Sequence, residues 1–226
     1  MVTMADTKVK EPRTPVEYAY WENDPKKVQA ILYSDGTILV NDVRLSYPHV
    51  AMPFESTDDN GNKKSRFSLK GMMPKATHKP AMRLMKKHME AMMTKNQTSD
   101  LASDRKYLRN GDDLGKPEMK GMFVFSASED TRPHLRDEAA QKLGVDDAKQ
   151  KFYGGCWGNV LVRPWWQNHQ KYGKRVNAGL SAVQFARDDE PFGEGRIGEE
   201  DVDNTFSPLA GASSASGFDD DDLDDL

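Results

Sequence analysis

The sequence predicts a mainly β protein: an OB-fold five-stranded barrel with one inserted helix, followed by a disordered acidic C-terminal tail. Three observations predict it. Residues 37–50, 66–73, 122–128, 152–166 and 176–187 are strand-like, and in the first two apolar and polar side chains alternate with period two, the spacing that sends successive side chains to opposite faces of a strand. One stripe of helical period is inserted among them, over 76–93, which suits a small barrel of this type. The charge is also unevenly divided. Residues 199–226 hold ten of the 36 acidic residues and no base, so the first 198 residues carry 32 bases against 26 acids, a net of +6. A mildly basic body joined to an acidic tail suggests that the body meets a polyanion while the tail does something else.

Each element follows in chain order. Residues 1–15 mix charge with Pro12 and Pro15 and read as a flexible N-terminus. Residues 16–193 form the OB-fold domain, although 16–35, with Tyr18, Tyr20 and Trp21, are assigned to no element. In the first strand Val43, Leu45 and Tyr47 alternate with Arg44 and Ser46, which puts Tyr47 with the core. Residues 58–64 are a turn, with Asn60-Gly61 its strongest signal. In the next strand Phe67 and Leu69 oppose Arg66, Ser68 and Lys70, and Pro74 ends it. The helix over 76–93 places Ala81, Leu84, Met85, His88, Met89 and Met92 on one face. Residues 94–120 read as a long polar loop, 122–128 as a strand, and 137–144 as a short helix ended by Gly144. The strand over 152–166 contains glycines that suggest a bulge. Residues 167–175 then connect it to the return strand, 176–187. Residues 194–218 are a flexible linker and 219–226 an acidic partner-binding tail.

The composition narrows the function classes. Of 226 residues, 37% are apolar and 30% charged, polar enough that part of the chain should stay unfolded. No apolar run approaches the roughly 20 residues of a membrane span, and the N-terminus lacks the apolar core of a signal peptide. The expectation is a cytosolic protein without membrane contact. One cysteine, Cys156, rules out an internal disulfide and a cysteine-rich zinc site. The five histidines are scattered, the acid pairs Asp58-Asp59 and Asp112-Asp113 sit in turn-like contexts, and no glycine-rich phosphate loop occurs. We therefore expect no cofactor, no metal and no enzymatic activity.

Three signals carry chemistry. The stretch 163–175 sets Trp165, Trp166 and Tyr172 among Arg163, Lys171, Lys174 and Arg175. Single-stranded nucleic acid needs this combination, cations for phosphates and flat rings for bases. Alternation puts Trp165 with Leu161 and Arg163 on the nucleic-acid face. It puts Trp166 with Val160 and Val162, where core packing and base stacking stay open as alternatives. The second signal is Lys64, Arg66, Ser68 and Lys70, a period-two cationic stripe suited to a phosphate track. The candidate contacts are thus Lys64, Arg66, Lys70, Arg163, Trp165, Trp166, Tyr172, Lys174 and Arg175. The third signal is the terminus Phe218, Asp219, Asp220, Asp221, Asp222, Leu223, Asp224, Asp225 and Leu226. An acidic peptide closed by an apolar residue suits a basic-rimmed apolar pocket on a partner protein.

The order of 43–50 (VRLSYPHV), 67–75 (FSLKGMMPK), 152–165 (FYGGCWGNVLVRPW) and 180–193 (LSAVQFARDDEPFG) resembles the phage single-stranded DNA-binding proteins related to that of phage Enc34, over roughly residues 38–193. The architecture is similar to that of the phage T7 single-stranded DNA-binding protein. The resemblance implies an OB fold that coats single strands without sequence preference during phage replication and recombination. It also implies an acidic tail that recruits replication or recombination proteins, in the cytoplasm of the infected bacterial host. Many tails of this type end in phenylalanine, where this chain has Leu226. An RNA-binding OB protein and a metal-dependent nuclease are the alternatives. Competition between matched DNA and RNA would separate the first, and magnesium-dependent cleavage the second. A virion or adaptor protein in which only the tail matters would bind no nucleic acid.

Overall fold

The computed structural model of the chain describes residues 12–57, 61–192 and 205. Its framework is the long strand β3 (Ile38–Thr57), numbered after the N-terminal hairpin of β1 (Pro15–Trp21) and β2 (Asp24–Tyr33). β3 pairs antiparallel on one side with β4 (Lys63–Pro74) and on the other with β8 (Trp157–His169). β4 carries β6 (Met122–Glu129), which carries the short β5 (Leu108–Asn110). β8 carries β9 (Gly173–Arg187), and β7 (His134–Arg136) joins β9 in parallel. The order is β5-β6-β4-β3-β8-β9-β7, with β2 also paired to the start of β3. Inward-pointing positions of the central strands bury Ile38, Val40, Val43, Leu45, Leu69, Phe125, Val160, Val162, Leu180 and Val183.

The mainly β, OB-like class is as predicted, and the details differ. Among the described residues nine strands replace the expected five, and their ladders do not close into a full barrel. The β5 side meets β9 through an isolated parallel bridge, Lys106 to Val176. The unassigned stretch after residue 15 is the β1–β2 hairpin. Its place is set by Gln29, a buried amide satisfied at both ends: Nε2 donates to the Thr77 carbonyl (2.9 Å) and Oε1 accepts from the Ala81 N–H (2.8 Å). That pins the N-terminus of helix α1 (Lys79–Lys95) to β2. The helix starts at Lys79 rather than 76 because Pro80 fits its first turn, and Met93 rather than Met92 completes its buried stripe.

Three further expectations are corrected. Residues 137–144 form a turn, with the Asp137 carboxylate accepting the Gln141 N–H (2.7 Å) and Ala140 at φ 61°. The short helix α2 lies just beyond, at Val145–Lys151, with Gly144 before its start instead of after its end. The supposed connection 167–175 is mostly strand, because β8 runs to His169 and β9 begins at Gly173. The supposed loop 94–120 contains β5 and three short 3-10 turns. In the 58–64 turn, Asp58, Asp59 and Asn60 lie outside the described residues, and Gly61 has the positive φ (82°) that such a turn favours.

Cys156 is fully buried where the chain enters β8. Its carbonyl accepts the Leu45 N–H (2.8 Å), and the neighbouring Gly155 N–H donates back to the Leu45 carbonyl (2.8 Å). Burial pushes its thiol up to about 11.

Candidate nucleic-acid interface

Curling of the sheet brings β4 and β6 to face β8 and β9 across an open trough of about 850 Å³. Each strand supplies its walls at period two: Arg66, Ser68 and Lys70 from β4, Ser126 and Ser128 from β6, Arg163, Trp165 and Gln167 from β8, Arg175 and Asn177 from β9. Leu69, Ala127, Val176 and Ala178 give it an apolar floor. The segment before β5 adds Arg105 and Lys106, and β5 itself adds Arg109. Gly173, at φ 69°, lets the β8–β9 hairpin tip come close to this segment: a Cβ there would stand 2.8 Å from Arg105 Nη1.

Among the described residues, seven cationic side chains line the trough against three acidic ones. Arg66 Nε donates to Asp130 Oδ1 (3.1 Å), Arg163 Nη2 lies 3.9 Å from Glu129 Oε2, and Arg175 Nη2 lies 3.8 Å from Asp104 Oδ2. Such partly exposed pairs contribute about 0–1 kcal/mol, so a phosphate can displace the carboxylates at little cost. Lys70 lies 5.3 Å from the Tyr47 ring centroid. Burial, followed by the neighbouring charges of Arg109 and Lys116, depresses its ammonium pKa, with Glu118 acting the other way. An arriving anion would relieve that destabilised charge. Among the described residues, five buried side-chain nitrogen or oxygen atoms have no hydrogen-bond partner, and three belong to this trough: Arg109 Nε, Ser126 Oγ and Arg175 Nε. Unpaired buried polar groups are costly, and their concentration here marks a surface whose bonding is incomplete.

Among the described residues, four aromatic rings line the trough, and three of them stand open while Tyr107 is buried. Trp165 is 42% exposed, Tyr172 53% and Tyr47 49%. Tyr172 stacks on His169 (4.8 Å between centroids, 28° between planes), and the His169 Nδ1 accepts the backbone N–H groups of Lys171 (3.1 Å) and Tyr172 (3.3 Å). The ring is thus held at the tip by its own hairpin. Cations at the walls and open rings between them suit an unpaired nucleic-acid strand, with phosphates on the first and bases on the second.

Of the sequence-predicted contacts, Arg66, Lys70, Arg163, Trp165, Tyr172 and Arg175 come together here. Trp166 does not: it shares the inward phase of Val160 and Val162 and packs on the core. Lys174 is also off the trough, and its Nζ donates to Thr98 Oγ1 (3.1 Å). Lys64 lies farther along β4, on the face that carries Arg66. Tyr47 corrects its assignment to the core. The register of β3 against β4 shifts after Ser46, and Tyr47 adopts φ 48°. Ser46 is buried and Tyr47 turns outward, reversing the expected phase. Phe67 is buried as expected. Arg105, Lys106 and Arg109 were hidden in the stretch read as a loop, where the apolar pair Tyr107 and Leu108 was the available signal and shows no alternation. Residues 218–226, the expected partner-binding tail, lie outside the described residues.

Comparison with known proteins follows the same line. The sequence family described as "Enterobacter phage Enc34, ssDNA-binding protein" matches residues 36–222. The fold is similar to that of a C-terminally truncated single-stranded DNA-binding protein from bacteriophage Enc34 (TM-score 0.70, 34% identity, 81% of this chain and 99% of that one). It is equally similar to the structure of that phage protein in complex with ssDNA (TM-score 0.69, 33% identity, 81% and 100%). "Putative protein p50" of Acyrthosiphon pisum secondary endosymbiont phage 1 is 27% identical over 169 residues, 71% of this chain and 88% of that protein.

Proposed function

The chain belongs to the family of the Enterobacter phage Enc34 single-stranded DNA-binding protein, and from that membership we propose that the trough between β4/β6 and β8/β9 is its DNA path. It is a phage single-stranded DNA-binding protein and not an enzyme. The observation that carries the reading is the trough's cationic excess, seven against three, combined with the open rings of Trp165, Tyr172 and Tyr47. Arg66, Lys70, Arg163 and Arg175 hold phosphates, and the rings accept bases in turn. Stacking makes no demand on base identity, so binding is sequence-tolerant. A duplex hides its base faces and offers the rings nothing.

The finer reading is that the protein protects exposed strands during phage replication and recombination, inside the infected bacterial host. The terminal segment Phe218–Leu226 recruits replication or recombination proteins. Its acid run, set among Phe218, Leu223 and Leu226, supports this, because it matches a cationic, apolar-floored pocket on a partner.

A salt titration with single- and double-stranded oligonucleotides tests the DNA path. Single strands bind more tightly, and log K falls linearly with log salt. Arg163→Gln lowers the slope by about 0.7, the share of one phosphate contact. Equal affinity for duplex, or a flat response to salt, overturns the reading.

A further inference from the structure

The β3–β4 hairpin outruns the rest of the sheet. β6 covers β4 only from Phe67 onward, and β8 covers β3 only as far as Arg44. Residues 54–57 and 63–66 therefore pair with each other alone, as a two-stranded ribbon in which every residue is exposed. Its two faces differ. Phe54 is opposite Arg66 and Ser56 opposite Lys64, so these four share one face. Glu55, Thr57, Lys63 and Ser65 share the other. By period two, the first face is the one on which Arg66, Ser68 and Lys70 line the trough. It carries two cations, one aromatic ring and no acid. From Lys70 to Lys64 this face runs about 20 Å.

Phe54 stands out on it. The ring is 53% exposed on a ribbon with no core beneath, and His49 braces one side of it (5.1 Å between centroids, 50° between planes). We propose that the ribbon is a second docking segment for the strand held in the trough, with Phe54 stacking on a base that has left the trough and Arg66 and Lys64 meeting the flanking phosphates. The proposal rests on the trough being the DNA path. It extends the site along β4 and makes affinity depend on strand length.

The test compares oligothymidylates of about 4 and about 16 nucleotides, the span of site sizes for one OB fold. Phe54→Ala lowers affinity for the long strand about tenfold, the effect of one lost stacked base, and leaves the short one unchanged. Phe54→Trp keeps long-strand affinity and adds a fluorescence change that only the long strand produces. Melting temperature is measured alongside, and the exposed ring predicts no change. Equal loss on both lengths, or no loss, overturns the proposal. So does reduced self-association of Phe54→Ala with unaltered DNA affinity, which would make the ring a contact between copies. If the trough itself is not the DNA path, Trp165→Ala binds both lengths as tightly as wild type, and both readings fall together.

Discussion

Two adjacent tryptophans divide the labour of β8. Trp165 projects into the trough and Trp166 into the core, because neighbours on a strand face opposite ways. Trp165→Ala should weaken single-strand binding by roughly 1–3 kcal/mol, about five- to 150-fold, with little change in melting temperature. Trp166→Ala should cost about 3 kcal/mol of stability, the lower end for a core aromatic, because the ring is only partly buried. Oligonucleotide titrations and urea unfolding on both variants check this, and the opposite pattern would mean that the faces are exchanged. The alternation in the sequence was enough to separate these two rings. It was not enough for Tyr47, whose phase depends on its own left-handed φ within β3. A non-glycine residue at positive φ leaves no pattern in a single sequence, so the ring that meets Lys70 could not be read in advance.

At the level of elements, the trough depends on close contact between β4 and β6. Gly71 lies opposite Phe125, the largest fully buried side chain, and a Cβ at Gly71 would stand 2.1 Å from Phe125 Cζ. Gly71→Ala should destabilise the domain by about 1–3 kcal/mol through overpacking. Phe125→Leu in the same chain should recover part of that loss. Urea midpoints of the single and double variants measure both effects, and a Gly71→Ala protein as stable as wild type would show that the ring moves freely. Strands with strict alternation, such as β4 and β8, were legible because one face meets the core and the other the trough. β1, β2, β5 and β7 were not. β1 leaves Val16, Tyr18 and Tyr20 exposed, and β2 buries the polar Gln29, which bridges to Thr77 and Ala81, so neither shows a plain apolar core face; β5 and β7, at three residues each, are too short to show a period. The helix expected over 137–144 failed for a local reason: the Asp137 side chain competes for the backbone and makes a turn.

For the whole chain, the division of charge has a consequence for affinity. A body of net +6 is tethered to a segment with ten acids, and tethering raises effective concentration to the millimolar range. Deleting residues 219–226 should therefore tighten single-strand binding at low salt. The gain should shrink above about 0.1 M, where charges more than about 10 Å apart are screened. Affinities of full-length and shortened protein at two salt concentrations decide this, and equal values at low salt would remove the tail from any competition with DNA. The sole thiol offers a different measure of the molecule. Cys156 lies under the junction of β3 and β8, and its raised pKa leaves almost no thiolate at neutral pH. An alkylating reagent in solution can reach it only when that junction parts, so the labelling rate is a clock for spontaneous opening of the sheet. Bound oligonucleotide should slow this clock, because a ligand that binds only the closed form lowers the open population in proportion to its occupancy. Mass spectrometry of timed samples would then report strand binding without a dye, a tag or a change to any residue.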